Sequence, residues 1–178
     1  MKSRQIIFIL TIFITACSVK PEWYLLKSNE LDFEILFPSQ PKFSRQTALL
    51  ETGKQDFNIY YCDSLANSDD NINYFASQTE YSGSLMKLYE SNPDIYFDNK
   101  IRNSTESVHG KIIALKVKNY KNYPGREVRI DFKNGETVIL MRIYLVRNKA
   151  YVLETMSYAS KDYNSSQTKF FESFKLIE

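Results

Sequence analysis

EVRIDFKNGETVILMR, residues 127–142, reads as one antiparallel hairpin. Asn134-Gly135 is a strong two-residue turn signal, because both central positions of such a turn need positive φ. Pairing outward from it sets Lys133 opposite Glu136, Asp131 opposite Val138, Arg129 opposite Leu140 and Glu127 opposite Arg142. The other face then receives Phe132 with Thr137, Ile130 with Ile139 and Val128 with Met141. One face is apolar, the other mixed and charged, and a slip of one residue would destroy that partition. Glu127 and Arg142 read as a cross-strand ion pair worth about 0.2–1 kcal/mol, not as an acid–base couple.

Working outward, residues 111–119 form a strand before the hairpin. In the connection Tyr123-Pro124-Gly125-Arg126, Pro and Gly suit a type II turn with Gly125 at positive φ. Beyond the hairpin, a three-residue loop Arg147-Asn148-Lys149 pairs Leu145 with Tyr151 and Ile143 with Leu153. A two-residue turn would instead set Met141 opposite Glu154, which the apolar pattern disfavours. Residues 160–166 turn the chain, and residues 169–174 fit a last helix that buries Phe170, Phe171 and Phe174.

The first half is less regular. Residues 31–37 alternate as a strand, and Pro38 and Pro41 end it. Residues 46–51 and 57–61 are two further strands around Gly53-Lys54. Residues 68–71 offer helix caps, and residues 72–89 carry Phe75, Leu85, Leu88 and Tyr89 at helical spacing, with Gly83 as an internal cost. Asn92-Pro93 ends that helix. Residues 94–110 read as a long polar connection, either a binding loop or a cover for a sheet edge. The expectation is a single α+β domain over residues 31–178, an antiparallel sheet with two helices packed on its apolar face.

The amino end carries an address. Lys2 and Arg4 precede nine residues, 6–14, that are apolar except for Thr11, as in an export signal. A helix of that length covers about 14 Å against a bilayer core of about 30 Å, so a spanning anchor is disfavoured. Ile14-Thr15-Ala16-Cys17 resembles the lipobox of bacterial lipoproteins. That resemblance implies cleavage of residues 1–16, diacylglycerol on the Cys17 sulfur, acylation of the new amino end, and a lipidated tether over residues 17–30. Several acyl chains anchor firmly, at about 0.8 kcal/mol per buried methylene. Ser18 resembles the sorting residue of enterobacterial lipoproteins and points to the outer membrane. Loss of Lys2 and Arg4 leaves basic and acidic residues equal in number, which gives no concentrated positive surface for nucleic acid.

Little in the sequence suggests catalysis. Cys62 is the cysteine left after lipidation, and its Tyr60-Tyr61-Cys62-Asp63 setting reads as a half-buried strand end. His109 is the single histidine, no Gly-x-Ser-x-Gly elbow occurs, and no spacing suggests a metal site. Asp63, Asp69 and Asp70 read as a solvated turn. The expectation is a non-enzyme with no cofactor beyond the lipid on Cys17.

Three landmarks carry a second resemblance: Phe33-Glu34-Ile35-Leu36-Phe37-Pro38, Tyr123-Pro124-Gly125-Arg126-Glu127-Val128-Arg129 and Phe170-Phe171-Glu172-Ser173-Phe174-Lys175-Leu176. Their order resembles bacterial envelope domains of PsbP-like/Mog1-like architecture over residues 31–176. The resemblance implies a binding or assembly domain without a shared catalytic set. Photosynthetic members assist a membrane complex and Mog1 members bind a small GTPase; neither role transfers by matched residues. The leading expectation is a lipid-anchored protein of the bacterial envelope with a protein partner, touched by Tyr96, Phe97, Arg102, Tyr120 and Tyr123. Carriage of a small ligand or lipid between sheet and helices is the alternative, and an enzyme a distant third.

Overall fold

A computed structural model of the chain describes residues 22–50, 53–64, 69–81 and 83–177. The signal segment 1–16 and Cys17 lie outside them. Ten strands and three α-helices follow in the order β1 (Tyr24–Ser28), β2 (Phe33–Phe37), β3 (Lys42–Leu50), β4 (Gly53–Asp63), β5 (Asn71–Glu80), α1 (Gly83–Ser91), α2 (Pro93–Ser107), β6 (Lys111–Val117), β7 (Gly125–Phe132), β8 (Thr137–Val146), β9 (Lys149–Tyr158), α3 (Ser165–Glu172) and β10 (Lys175–Leu176). Seven of the strands make an antiparallel sheet, β3-β4-β5-β9-β8-β7-β6, and β1-β2-β10 make a small second sheet.

The central hairpin keeps the register expected of it. Glu127 pairs with Arg142, Val128 with Met141, Arg129 with Leu140, Ile130 with Ile139, Asp131 with Val138 and Phe132 with Thr137. The ladder stops there: Lys133 and Glu136, expected as its last pair, belong to the turn, in which Lys133 (φ 53°), Asn134 (φ 57°) and Gly135 (φ 89°) are all left-handed. Both faces of the sheet are covered, however, not one. Val128, Ile130, Met141 and Ile143 pack with Tyr96, Phe97 and Ile101 of α2. On the opposite face Leu140, Tyr144, Tyr151 and Leu153 pack with Phe33, Ile35 and Phe37 of β2 and with Phe170, Phe171 and Phe174. β8 is therefore buried along its length except at Arg142.

The helical reading of residues 72–89 is corrected. Asn71–Glu80 is strand β5, paired with β4 on one side and β9 on the other. Tyr74, Ala76 and Gln78 are buried at period two. The polar inward residues hid this pattern, and the fold satisfies them by side-chain hydrogen bonds: Asn58 donates to Gln78 at 3.2 Å, and Asn71 donates to the Tyr74 hydroxyl at 2.6 Å. The helix begins only at Gly83. Asn92-Pro93 then starts a second helix instead of a loop. Pro93 stands in the first turn, where its missing N–H is harmless, and Asp94 complements the helix dipole. Among the described residues there are thus three α-helices where two were expected.

Two connections also differ from expectation. The β8–β9 turn is two residues long, with Val146 paired to Lys149 and Met141 paired to Glu154. Arg147 makes this possible by adopting φ 54°. Burial raises the Glu154 carboxyl above its usual range while the Lys100 charge of α2 opposes the rise. That cation answers the acid whose placement had disfavoured this register. Gly125 has no positive φ; it begins β7. An added Cβ would lie 2.3 Å from the Lys118 carbonyl and 2.8 Å from that of Ile143. Close backbone approach, not turn conformation, explains the glycine.

Residues 24–28, read as tether, form β1 and pair with β2. Trp23 packs edge-on against Tyr74, with Lys169 Nζ 4.6 Å from its ring centre. The helix expected over residues 169–174 is α3, Ser165–Glu172, capped by Asn164, whose side chain accepts a bond from the Gln167 N–H at 2.7 Å.

Candidate functional site

β6 is the end strand of the seven-stranded sheet. Its sequence, KIIALKV, is exposed at every position. Ile112 is 41 % exposed, Ile113 51 %, Leu115 50 % and Val117 64 %. An edge strand leaves a row of backbone donors and acceptors open to another chain, and natural proteins usually defend such an edge with charge, proline or a cover. Here the row is flanked by large apolar side chains.

The pairing with β7 explains how they gather. Ile112 pairs with Ile130 and Ala114 with Arg129, so Ile113 is an extra residue at a bulge. The bulge changes the strand's parity, so that Ile112, Leu115 and Val117 lie on the side of α2, opposite Ile130, Val128 and Arg126. A groove of about 390 Å³ runs there, with Ile101, Thr105, Ile112 and Leu115 in its lining and Asp98, Arg102 and Glu106 among its polar residues.

The other side of β6 is charged. Lys116 Nζ lies 2.8 Å from Glu127, Arg142 Nε 2.7 Å from Glu127, and Arg142 again 2.8 Å from Glu172. Burial alone would raise the Glu127 carboxyl. Hydrogen bonds from Lys116 and Arg142, with their charges, outweigh burial and hold it below the usual glutamate range. Glu127–Arg142 is thus a pair within a larger network, and it fixes the underside of the edge. Lys111 sits opposite Asp131 at the start of the strand.

The five expected contact residues do not form one surface. Tyr96 and Phe97 are buried in α2 and leave no face for a partner, which corrects their placement on a loop. Arg102 is exposed and lines the β6 groove, where it donates to Asn99 at 2.7 Å. The Tyr120 hydroxyl accepts the Leu176 N–H at 3.2 Å, and its ring packs on Tyr144 and Phe174. Tyr123 pairs with Tyr120 across a tight turn and lines a separate cavity. Sequence reading identified β6 as a strand but missed its position at the edge. Four large apolar residues in seven gave a signal for burial, and only the sheet order shows them exposed.

The residues considered for catalysis lie apart from this surface. Cys62 is buried, its sulfur 3.2 Å from the Ser39 hydroxyl, and burial raises its thiol. His109 is exposed just after α2. Asp69 accepts from the Asn71 N–H at 2.8 Å and from the Tyr74 hydroxyl at 2.8 Å, and Asp70 pairs with Lys161 at 3.1 Å. Among the described residues no group of three His, Cys, Asp or Glu could hold a metal. No helix among them is long and apolar enough to cross a membrane.

No family model matches the chain, and no curated protein matches it. Among solved structures, cyanobacterial PsbP (CyanoP) from Synechocystis sp. PCC 6803 superposes with a TM-score of 0.56 at 11 % identity, covering 91 % of this chain and 96 % of that one. The chain has a PsbP-like α+β fold. A Pseudomonas aeruginosa protein of unknown function superposes at a TM-score of 0.37 and 8 % identity, covering 78 % of this chain and 85 % of that one.

Proposed function

We propose that this chain is a lipid-anchored, non-catalytic binding or assembly domain of the bacterial cell envelope, and that it takes an extended segment of a partner protein along β6. The observation that carries this reading is the apolar outer edge of β6, with which no other strand among the described residues pairs. Added strands gain affinity from main-chain hydrogen bonds and specificity from alternate side chains. A segment suited to this edge sets apolar residues beside Ile112, Leu115 and Val117. Its alternate residues are acidic and lie beside Lys111 and Lys116. A second copy of β6 fits less well, because it would bring its own Lys111 and Lys116 to the same seam. Acylation at Cys17 would hold the domain near envelope partners and raise its effective concentration there; the Ser18 resemblance favours the outer membrane.

The test is a photo-crosslinking residue in place of Leu115, with Gln46 on the opposite edge as control, in the full chain in its own envelope. The expected result is a discrete adduct from position 115, mapping to an extended apolar/acidic segment of another protein, and weakened by Cys17→Ser. Equal adducts from both positions, or adducts only with another copy, would overturn the reading.

A further inference from the structure

A cavity of about 450 Å³ opens away from β6, where several connections meet. Asp32 precedes β2, Lys121 sits between β6 and β7, and Arg147 sits between β8 and β9. All three are non-glycine residues at positive φ, 57°, 51° and 54°. Such conformations are uncommon for lysine and arginine, less so for aspartate, and residues held in them are found at tight turns and at functional sites. Here each one brings a charged residue into the lining of the same cavity.

Among the described residues the lining includes Arg147, Lys149, the carboxylate of Asp32, and Lys121, which is engaged with a partner of its own. Lys149 Nζ holds Asp32 at 2.5 Å. Arg147 is exposed and makes no ion pair among the described residues. Tyr151 contributes a buried wall, its hydroxyl donating to the Leu31 carbonyl at 3.2 Å. Next to this chamber lies a smaller cavity of about 190 Å³, in whose lining Met86, Tyr89 and Leu145 provide apolar surface and Glu90 is the acid. The chamber thus adjoins an apolar annex, with Arg147 and Tyr123 in the lining of both.

We propose that the paired cavities form a binding site for a small amphiphilic anion. Its phosphate-like head sits at Arg147, where a planar guanidinium can engage two oxygens, and its apolar group sits in the annex. The shared head-group chemistry has two sources, a soluble phosphate ester or an anionic phospholipid.

The full chain in phosphatidylcholine nanodiscs, titrated calorimetrically with phenyl phosphate and with inorganic phosphate, tests this. Phenyl phosphate should bind saturably, and inorganic phosphate about ten-fold more weakly. Arg147→Gly keeps a residue suited to positive φ while removing the cation, so it should remain folded and lose phenyl phosphate affinity by about ten-fold. Replacing phosphatidylcholine with phosphatidylglycerol separates the sources. Blocked phenyl phosphate binding assigns the site to lipid, and unaltered binding assigns it to a soluble ester. No saturable binding, or equal affinity for wild type and Arg147→Gly, overturns the proposal. None of these outcomes depends on β6.

Discussion

The two edges of the large sheet are built in opposite ways. β3 carries Arg45, which bonds Asn58 at 2.7 Å and pairs with Glu30, and Thr47, which donates to Asp56 at 2.6 Å. Its exposed Phe43 is shielded by the Tyr60 ring, with centres 4.9 Å apart, and by the Arg45 guanidinium, 5.8 Å from its ring centre. β6 pairs Lys116, whose side chain is 66 % exposed, with Glu127 and leaves Ile113, Leu115 and Val117 exposed. Both edges therefore contain apolar and charged residues. What differs is where the charges are used: on β3 Arg45 covers Phe43 as well as bonding Asn58, although Leu49 stays 88 % exposed, and on β6 Lys116 fastens the strand to its neighbour while the apolar row stays exposed. An edge held firmly from below and left bare above is suited to receiving a strand.

The largest effect should come from loosening that hold. Gly125→Ala would place a methyl group 2.3 Å from the Lys118 carbonyl, and overpacking of backbone against backbone should cost about 3 kcal/mol. Urea unfolding should show this as a lowered midpoint, with crosslinking at position 115 reduced in parallel. A variant as stable as wild type would show that the close approach relaxes easily and does not position β6. Glu127→Gln acts on the same hold electrostatically. A carboxyl whose folded pKa is depressed contributes stability above its unfolded value of about 4.3 and loses it as pH falls through the folded value. The variant should therefore be about 1.5 kcal/mol less stable at pH 7, and the gap should close below about pH 4. A constant gap across that range would mean that packing, not charge, is what the glutamate provides.

The strands flanking the Asn134-Gly135 turn were legible because turn chemistry and alternation agree there, and the observed register from Glu127 to Arg142 follows. β5 was not, because its buried Asn71, Gln78 and Thr79 break the apolar alternation, and Asn71 and Gln78 find partners distant in sequence, Asn164 and Asn58. α2 was missed because only three of its fifteen residues, Tyr96, Phe97 and Ile101, form its buried stripe, and beyond Pro93 and Ile95 the rest are polar. The β8–β9 turn depended on Arg147 accepting positive φ and on Lys100 facing Glu154, neither of which local pattern reveals. As for the candidate interface, a run such as KIIALKV marks a strand equally at the centre of a sheet and at its rim. The sequence reading placed Arg102 among the contacts because of its supposed loop, so its position in the β6 groove came for a different reason.

A smaller effect on stability should accompany a clear effect on binding when β6 is given a charge. Leu115→Glu replaces a half-exposed side chain, so stability should change by no more than about 0.5 kcal/mol. Affinity for the crosslinked segment, measured as a synthetic peptide by calorimetry, should fall about ten-fold. The matching change Gln46→Glu on β3 should leave that affinity unaltered. Equal losses from both would place the binding surface elsewhere than the edge.

The subtlest change converts the defended edge into a bare one. Arg45→Ile with Thr47→Val removes the charge over Phe43 and the bond to Asp56 while keeping residues that favour strands. Thr47 is exposed and its change should cost no more than about 0.5 kcal/mol, whereas loss of the Arg45 bond to the buried Asn58 should cost about 1 kcal/mol. What should change is solution behaviour: sedimentation should reveal weak, concentration-dependent association that the wild-type chain lacks. β3 carries no bulge against β4, since its register runs unbroken from Lys42 opposite Tyr61 to Leu50 opposite Gly53. Once stripped of charge it is a flatter template than β6, whose bulge at Ile113 twists the ladder and limits indiscriminate pairing. The converted β3 edge should therefore associate with other copies while β6 does not. Association of the variant through β6 instead, mapped by loss of amide exchange in Lys111–Val117, would show that the bulge does not select among partners and that the lysines alone set specificity.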